Sequence, residues 1–165
     1  MPSLRGKEAD KNYLTPEQLS ILLNHIKQHE DIAYYSLFLT IAYTGMRKGE
    51  ALGLQWRNID FTNQTITIIS PNTIKPFAST GLNATFNRIV SAVGLPATTI
   101  HGLRHTHATI LMNNDIPVKA IAERLGNTPE IIHTTYGHVL KEMEDKIIDI
   151  FDCAIGNGAK NWASS

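Results

Sequence analysis

Between Ile100 and Leu111 the chain reads IHGLRHTHATIL, with three histidines and an arginine within seven residues. Ionisable side chains crowded at a helix start need partners: a metal, a backbone carbonyl or a phosphate. His101 and His105 stand four apart on one helical face, a spacing that can hold a metal. A metal hydrolase would place a glutamate beside them, but positions 102–104 are Gly, Leu and Arg. Arg104 would set a fixed positive charge next to the cation, and no Asp or Glu cluster completes a ligand set. No metal is expected. His105 and His107, each taken alone, are expected to pack beside apolar neighbours and hydrogen-bond to backbone carbonyls.

His101 and Arg104 read differently. Residues at i and i+3 share a helical face. They lie in the first turn, where backbone N–H groups and the helix dipole favour an anion. Arginine adds a planar fork suited to phosphate, so a phosphate explains the pair better than a metal does. A His-x-x-Arg pattern is common by chance and needs company. TGMRKGEALGLQW offers Arg47 just past Gly45, with Glu50 three residues on. Alone, that is an ordinary surface ion pair of little energetic weight. TTYGHV offers Tyr136, which alone would be half-buried packing.

The elements that must carry these groups are mostly helical. Residues 1–13 are polar and read as a linker or arm. Thr15, Pro16 and Gln18 open a helix with an N-cap, a proline at the first position and a capping box, and Leu14 can staple onto Leu19. Leu19, Leu22, Leu23 and Ile26 form its apolar stripe. DIAYYSLFLTIAYTG is apolar nearly all round and reads as a central buried helix that Gly45 ends. A short helix resumes at MRKGEALGLQW. A TNQ turn then leads to a strand in which Thr65, Ile66, Thr67 and Ile68 alternate. Leu82, Phe86, Ile89, Val90 and Val93 mark another helix, ended by Gly94 and Pro96. Beyond the histidine stretch, IPVKAIAERLG is a short helix ending at Gly126. A further turn of helix starts at Thr128-Pro129, and LKEMEDKIIDIFDCAI is a last amphipathic helix.

Composition sets the outer limits. A chain of 165 residues with 42% hydrophobic content suits one domain with a real core. No run of eighteen apolar residues predicts a membrane span, and MPSLRGKEADKNYL has no apolar signal region. The single Cys153 cannot form an internal disulfide. A cytosolic protein is expected. Formal net charge is zero, so a nucleic-acid reading rests on where the basic groups sit.

In this order, TGMRKGEALGLQW, HGLRHTHAT, AERLGN and TYGHV resemble the catalytic domain of the tyrosine recombinases, the phage-integrase family. The resemblance covers roughly Leu14 to Phe151 and is nearest to integrases of phages and integrative elements of Gram-positive hosts. It implies a mainly α (α+β) fold, a helical bundle with a small, shortened β element. It also implies a site-specific DNA recombinase acting in the bacterial cytoplasm. Arg47 then matches the first catalytic arginine, His101 and Arg104 the His-x-x-Arg pair, and Tyr136 the nucleophile. Glu50 matches a buried acid that orients the first arginine's region, and His105 a supporting histidine. Two arginines can clamp the nonbridging oxygens of a phosphodiester as it becomes pentacoordinate. The tyrosine hydroxyl, with an ordinary pKa near ~10, needs positioning and a proton acceptor, for which His101 is nearest. The implied product is a 3′-phosphotyrosine bond, made without ATP, metal or other cofactor.

Two departures from the family pattern stand out. The family has His or Trp nine residues before the nucleophile, where this chain has Asn127. Its amide can donate a hydrogen bond but cannot transfer a proton as imidazole does; a turn or cap role before Pro129 is the other reading. Arg47 and His101 are also only 54 residues apart, short for the family. The β-hairpin that holds a catalytic lysine, general acid to the leaving 5′ oxygen, is expected to be missing after TITII. Lys75 is the nearest lysine downstream, but it precedes Pro76 and has no hairpin context. The expected layout is an arm at 1–13, a catalytic domain at 14–152 and a tail at 153–165, without the N-terminal DNA-binding domains of the family. Expected partners are double-stranded attachment-site DNA and other protomers, the latter through Met143, Ile147, Ile150 and Phe151 of the last helix unless these pack on their own domain. The rivals are a DNA-binding remnant impaired by loss of the lysine, a type IB topoisomerase, and a metal-dependent hydrolase.

Overall fold

A threonine, a proline and a glutamine start the first helix as their spacing predicts. In the computed structural model, which describes residues 12–68 and 81–144, α1 runs Pro16–His29. The Thr15 hydroxyl accepts from the Gln18 N–H at 3.3 Å, and the Gln18 side chain accepts from the Thr15 N–H at 2.9 Å. Leu14, Leu22 and Ile26 are buried, with Leu19 packed at the edge of the core.

The chain divides into two compact units, residues 1–110 and 111–165. In the first, α2 (Ile32–Thr44) is capped by the Asp31 carboxylate, which accepts from the Ala33 N–H at 2.7 Å. It ends at Gly45, whose φ of 69° is the left-handed conformation that glycine adopts without a Cβ penalty. The helix is not central in the way its composition predicts. Phe38, Ile41 and Ala42 are buried, whereas Ile32 and Tyr43 are exposed. Tyr34, Tyr35 and Leu37 are partly buried against the core, and a cavity of about 340 Å³ beside the helix is lined by Tyr34, Leu37, Thr40, Leu52, Trp56 and Ile59.

The short α3 (Lys48–Leu52) and a 3-10 turn (Trp56–Asn58) lead to β1 (Ile59–Asp60) and β2 (Thr65–Ile66). The strands are antiparallel, with Ile59 opposite Ile66 and Asp60 opposite Thr65. Asp60 closes the turn by accepting from the N–H groups of Thr62 and Asn63. These hydrogen bonds hold its carboxyl below the usual carboxylate range. The expected alternation over Thr65–Ile68 has no buried face, because every residue from Phe61 to Ile68 is exposed. α4 (Leu82–Ala92) buries Leu82, Phe86, Ile89 and Val90. Its Phe86 ring meets Phe38 at 5.0 Å between centroids, a tilted pair worth about 1 kcal/mol beyond area burial. Arg88 pairs with Glu30 at 2.9 Å, tying α4 to the end of α1.

α5 (Ile100–Asn113) carries the histidine stretch, and the division between the units falls within it. In the second unit, α6 (Val118–Leu125) buries Ile121, Ala122 and Leu125 and ends at Gly126 with φ 60°. It packs on α7 (Pro129–Glu144). Here two expected elements are one: the helix runs through TTYGHV to Glu144, interrupted only at Tyr136, whose φ and ψ of −116° and 18° are not helical. Lys75, Cys153 and the part of LKEMEDKIIDIFDCAI beyond Glu144 lie outside the described residues. No helix among the described residues is long and apolar enough to cross a membrane.

Candidate active site

Thr99 sets the start of α5. Its hydroxyl accepts from the Gly102 N–H at 3.0 Å, an N-cap that occupies one of the first-turn donors. Motif spacing does not mark Thr99, although a threonine directly before an apolar-periodic segment is the usual signal for such a cap.

From this start the helix sends Arg104 and His107 towards the end of α2. Arg104 is buried, and its Nη1 donates to the Gly45 carbonyl at 2.5 Å. His107 is also buried, with Nδ1 2.9 Å from the Ala42 carbonyl, as expected for that histidine. The last carbonyls of a helix lack intrahelical donors, and a cation there is favoured by the dipole. The two side chains thus close the end of α2 and bolt α5 to it.

The same link positions the second arginine. Met46, between Gly45 and Arg47, is buried, so the backbone that Arg104 grips leads at once to Arg47, the residue before α3. Glu50 fixes both ends of Arg47: it accepts from the Arg47 N–H at 2.8 Å and from Nη1 at 3.0 Å. The Arg47 side chain is half exposed (49%), the Glu50 side chain only 15%. A mostly buried acid thus steers a guanidinium that reaches solvent.

His101 and His105 complete the cluster, with ring centroids 4.7 Å apart in an edge-on arrangement. Burial, followed by the charges of Arg104 and Arg47, holds the His101 imidazole below its ordinary pKa. His105 is lowered by burial, then by His101 and Arg104. Both are neutral near pH 7, so either can accept a proton. Two guanidinium groups with a neutral imidazole suit a phosphate whose negative charge grows during reaction. Among the described residues no three His, Cys, Asp or Glu side chains gather to hold a metal.

Arg47, Glu50, His101, Arg104 and His105 are brought together within the first unit. Tyr136 and Asn127 belong to the second. Tyr136 is 4% exposed and interrupts α7. Asn127 is half-buried, and its N–H donates to the Ala122 carbonyl at 2.9 Å beyond the left-handed Gly126. This is the cap role its sequence position allows.

The chain is 24% identical to the tyrosine recombinase XerC of Pediococcus pentosaceus over 184 aligned positions, covering 82% of this chain and 61% of the relative. It is 21% identical to a XerC-like tyrosine recombinase of Caldanaerobacter subterraneus subsp. tengcongensis, covering 86% of this chain and 54% of that one. It therefore spans little more than half the length of these curated relatives. The 184 aligned positions exceed the whole of this chain, and 82% of 165 residues is about 135, so about fifty residues of the first relative have no counterpart here. Among solved structures, the XerH site-specific recombinase bound to difH substrate aligns with a TM-score of 0.67 at 22% identity, over 82% of this chain and 53% of that one. The catalytic domain of bacteriophage HP1 integrase aligns with a TM-score of 0.57 at 19% identity, over 90% of this chain and 98% of that one. Both alignments bear out the expected fold, a mostly helical tyrosine-recombinase catalytic domain. The profile of the phage integrase family matches residues 12–80 and 69–143, and by that match, over most of its length, the chain belongs to this family.

Proposed function

We propose that this chain is the catalytic domain of a site-specific DNA recombinase. The Tyr136 hydroxyl attacks a backbone phosphorus, the bond to the 5′ oxygen breaks, and a 3′-phosphotyrosine bond forms. The attacking hydroxyl loses its proton to His101, and the leaving 5′ oxygen takes one up. Attack by that 5′ hydroxyl reverses the step, so strands are rejoined without ATP or a metal. Arg47 and Arg104 hold the nonbridging oxygens, Glu50 and His105 support them, and Asn127 donates a hydrogen bond where relatives carry His or Trp.

The observation that carries this reading is the Arg104–Gly45 hydrogen bond, which draws the backbone leading to Arg47 onto the helix that bears His101. Two residues 57 apart in sequence are thereby held for one anion. Family membership supports the choice of phosphodiester over other anions. Lys75 is the nearest lysine downstream in sequence to take the place of the hairpin lysine. The unmatched residues of the relative, together with the division of the profile match around residues 69–80, support the reading that the hairpin lysine of the family is missing. In the bacterial cytoplasm the domain, residues 14–152, would act on attachment-site DNA with other protomers.

Covalent trapping tests this. The protein is mixed at low salt with nicked duplex DNA carrying the recombination site of its source element, then denatured. A slow-migrating protein–DNA band that is absent with Tyr136→Phe is the expected result. DNA binding without such a band would instead identify a DNA-binding remnant, and relaxation of supercoiled DNA lacking any site would identify a topoisomerase.

A further inference from the structure

The chain enters the first unit across the turn that bears His101 and Arg104. Thr106 is fully buried, and both roles of its hydroxyl are used: it accepts from the Leu14 N–H at 2.9 Å and donates to the Gly102 carbonyl at 2.8 Å. On the other side of the entering segment, Thr98 donates to the Asn12 side-chain carbonyl at 3.2 Å. The Asn12 amide reaches the Thr99 hydroxyl at 3.5 Å, the same oxygen that caps Gly102. Leu14, buried in one cluster with Ile100 and Leu103, anchors the end of the segment.

Gly102 shows how closely the two pieces lie. A Cβ there would stand 2.2 Å from the Thr98 hydroxyl, 2.8 Å from the Asn12 side-chain oxygen and 3.0 Å from the Asn12 backbone oxygen. Residue 102 lies in the first turns of α5, where any L residue is conformationally at ease. Glycine is needed here for space: a Cβ would run into the Thr98 hydroxyl and the Asn12 side-chain oxygen, with the Asn12 backbone oxygen also close.

We propose that Asn12–Leu14 is a strap that sets the placement of His101 and Arg104, with Asn12, Thr98 and Thr106 as positioning residues and Gly102 as the notch that admits it. The role assigned to the pair rests on the function proposed above. The strap fixes one side of the α5 start, and the Arg104–Gly45 bond fixes the other. The site thus depends on chain that precedes the first helix.

The test uses the whole chain and two readouts that need no DNA: the His101 imidazole titration followed by NMR, and the affinity for inorganic phosphate. Loosening the strap admits water to the α5 start. Burial is the first cause of the lowered His101 pKa, ahead of Arg104 and Arg47, so the pKa should rise toward the ordinary ~6.5 in Gly102→Ala and Thr106→Val. Phosphate affinity should fall in both, and Thr106→Ser, which keeps the hydroxyl, should restore the parent values. Asn12→Ala, an exposed position whose loss leaves the core intact, should shift both readouts in the same direction by less. It decides the matter if the buried variants do not fold. Unchanged titration and phosphate affinity in Asn12→Ala, and in whichever of Gly102→Ala and Thr106→Val fold, would overturn the proposal. A chain that shows these shifts yet traps no DNA would keep the strap and lose the recombinase reading.

Discussion

Replacing Arg104 by methionine keeps most of the side-chain volume and removes the charge and the donor. The Arg104 guanidinium is buried and hydrogen-bonded to the Gly45 carbonyl, so the substitution leaves a desolvated acceptor at the end of α2. A lost hydrogen bond of this kind, from a charged donor, costs about 1–3 kcal/mol. A domain starting from as little as about 5 kcal/mol would retain about 2 kcal/mol or more, leaving at most about 5% unfolded. Loss of folded protein therefore cannot remove more than a small fraction of activity. Loss of a donor aimed at the reacting phosphate costs on the order of a hundred- to a thousandfold in rate. The two effects are separable: urea unfolding gives the first through the midpoint at constant slope, and the rate of covalent trapping gives the second. An unchanged urea midpoint would refute the tie between α5 and α2. A rate loss below about tenfold, or one accounted for by the unfolded fraction, would refute the clamp.

Glu50→Ala removes the acceptor for both the Arg47 N–H and its guanidinium. Urea unfolding should show a loss of about 0.5–2 kcal/mol, as for other lost helix caps, and trapping should slow while Tyr136 remains competent. Stability should also depend on pH. His101 and His105 have lowered pKa values in the folded chain, so the unfolded chain binds more protons as pH falls through about 6.5. Their contribution is fully present above that value and is lost as pH drops towards the folded pKa values. Urea midpoints should therefore fall on acidification. The double variant His101→Gln, His105→Gln should flatten that part of the profile.

The helices were largely legible because their signals are local. Thr15, Gln18 and Pro16 announce α1, and Gly45, Gly94 and Gly126 take the positive φ values their positions call for. Of the candidate residues, Arg47, Glu50, His101, Arg104 and His105, legible by type and order, lie together in the first unit. Long-range terms were not legible. Nothing local says that Arg104 will reach the Gly45 carbonyl, or that α2, with apolar residues all round, will leave Ile32 and Tyr43 exposed. The turn of helix at Thr128-Pro129 and the last amphipathic helix read as two elements, yet one helix runs through a single non-helical residue, Tyr136. Nor does anything local say that Gly102 lies against Thr98 and Asn12.

The interruption at Tyr136 bears on how α7 comes apart. A continuous helix frays from its ends, because each residue released costs a bond to its neighbours in the ladder. A residue outside helical geometry breaks that cooperativity, so the turns after Tyr136 can open without loosening those before it. Amide hydrogen exchange should therefore divide α7 into two protection classes, with the boundary at Tyr136 and the faster class on the C-terminal side. Opening of that distal class would release one flank of the tyrosine at a small fraction of the global unfolding free energy. The Tyr136 hydroxyl, proposed above as the nucleophile, would then have a local equilibrium of its own while the core stays intact.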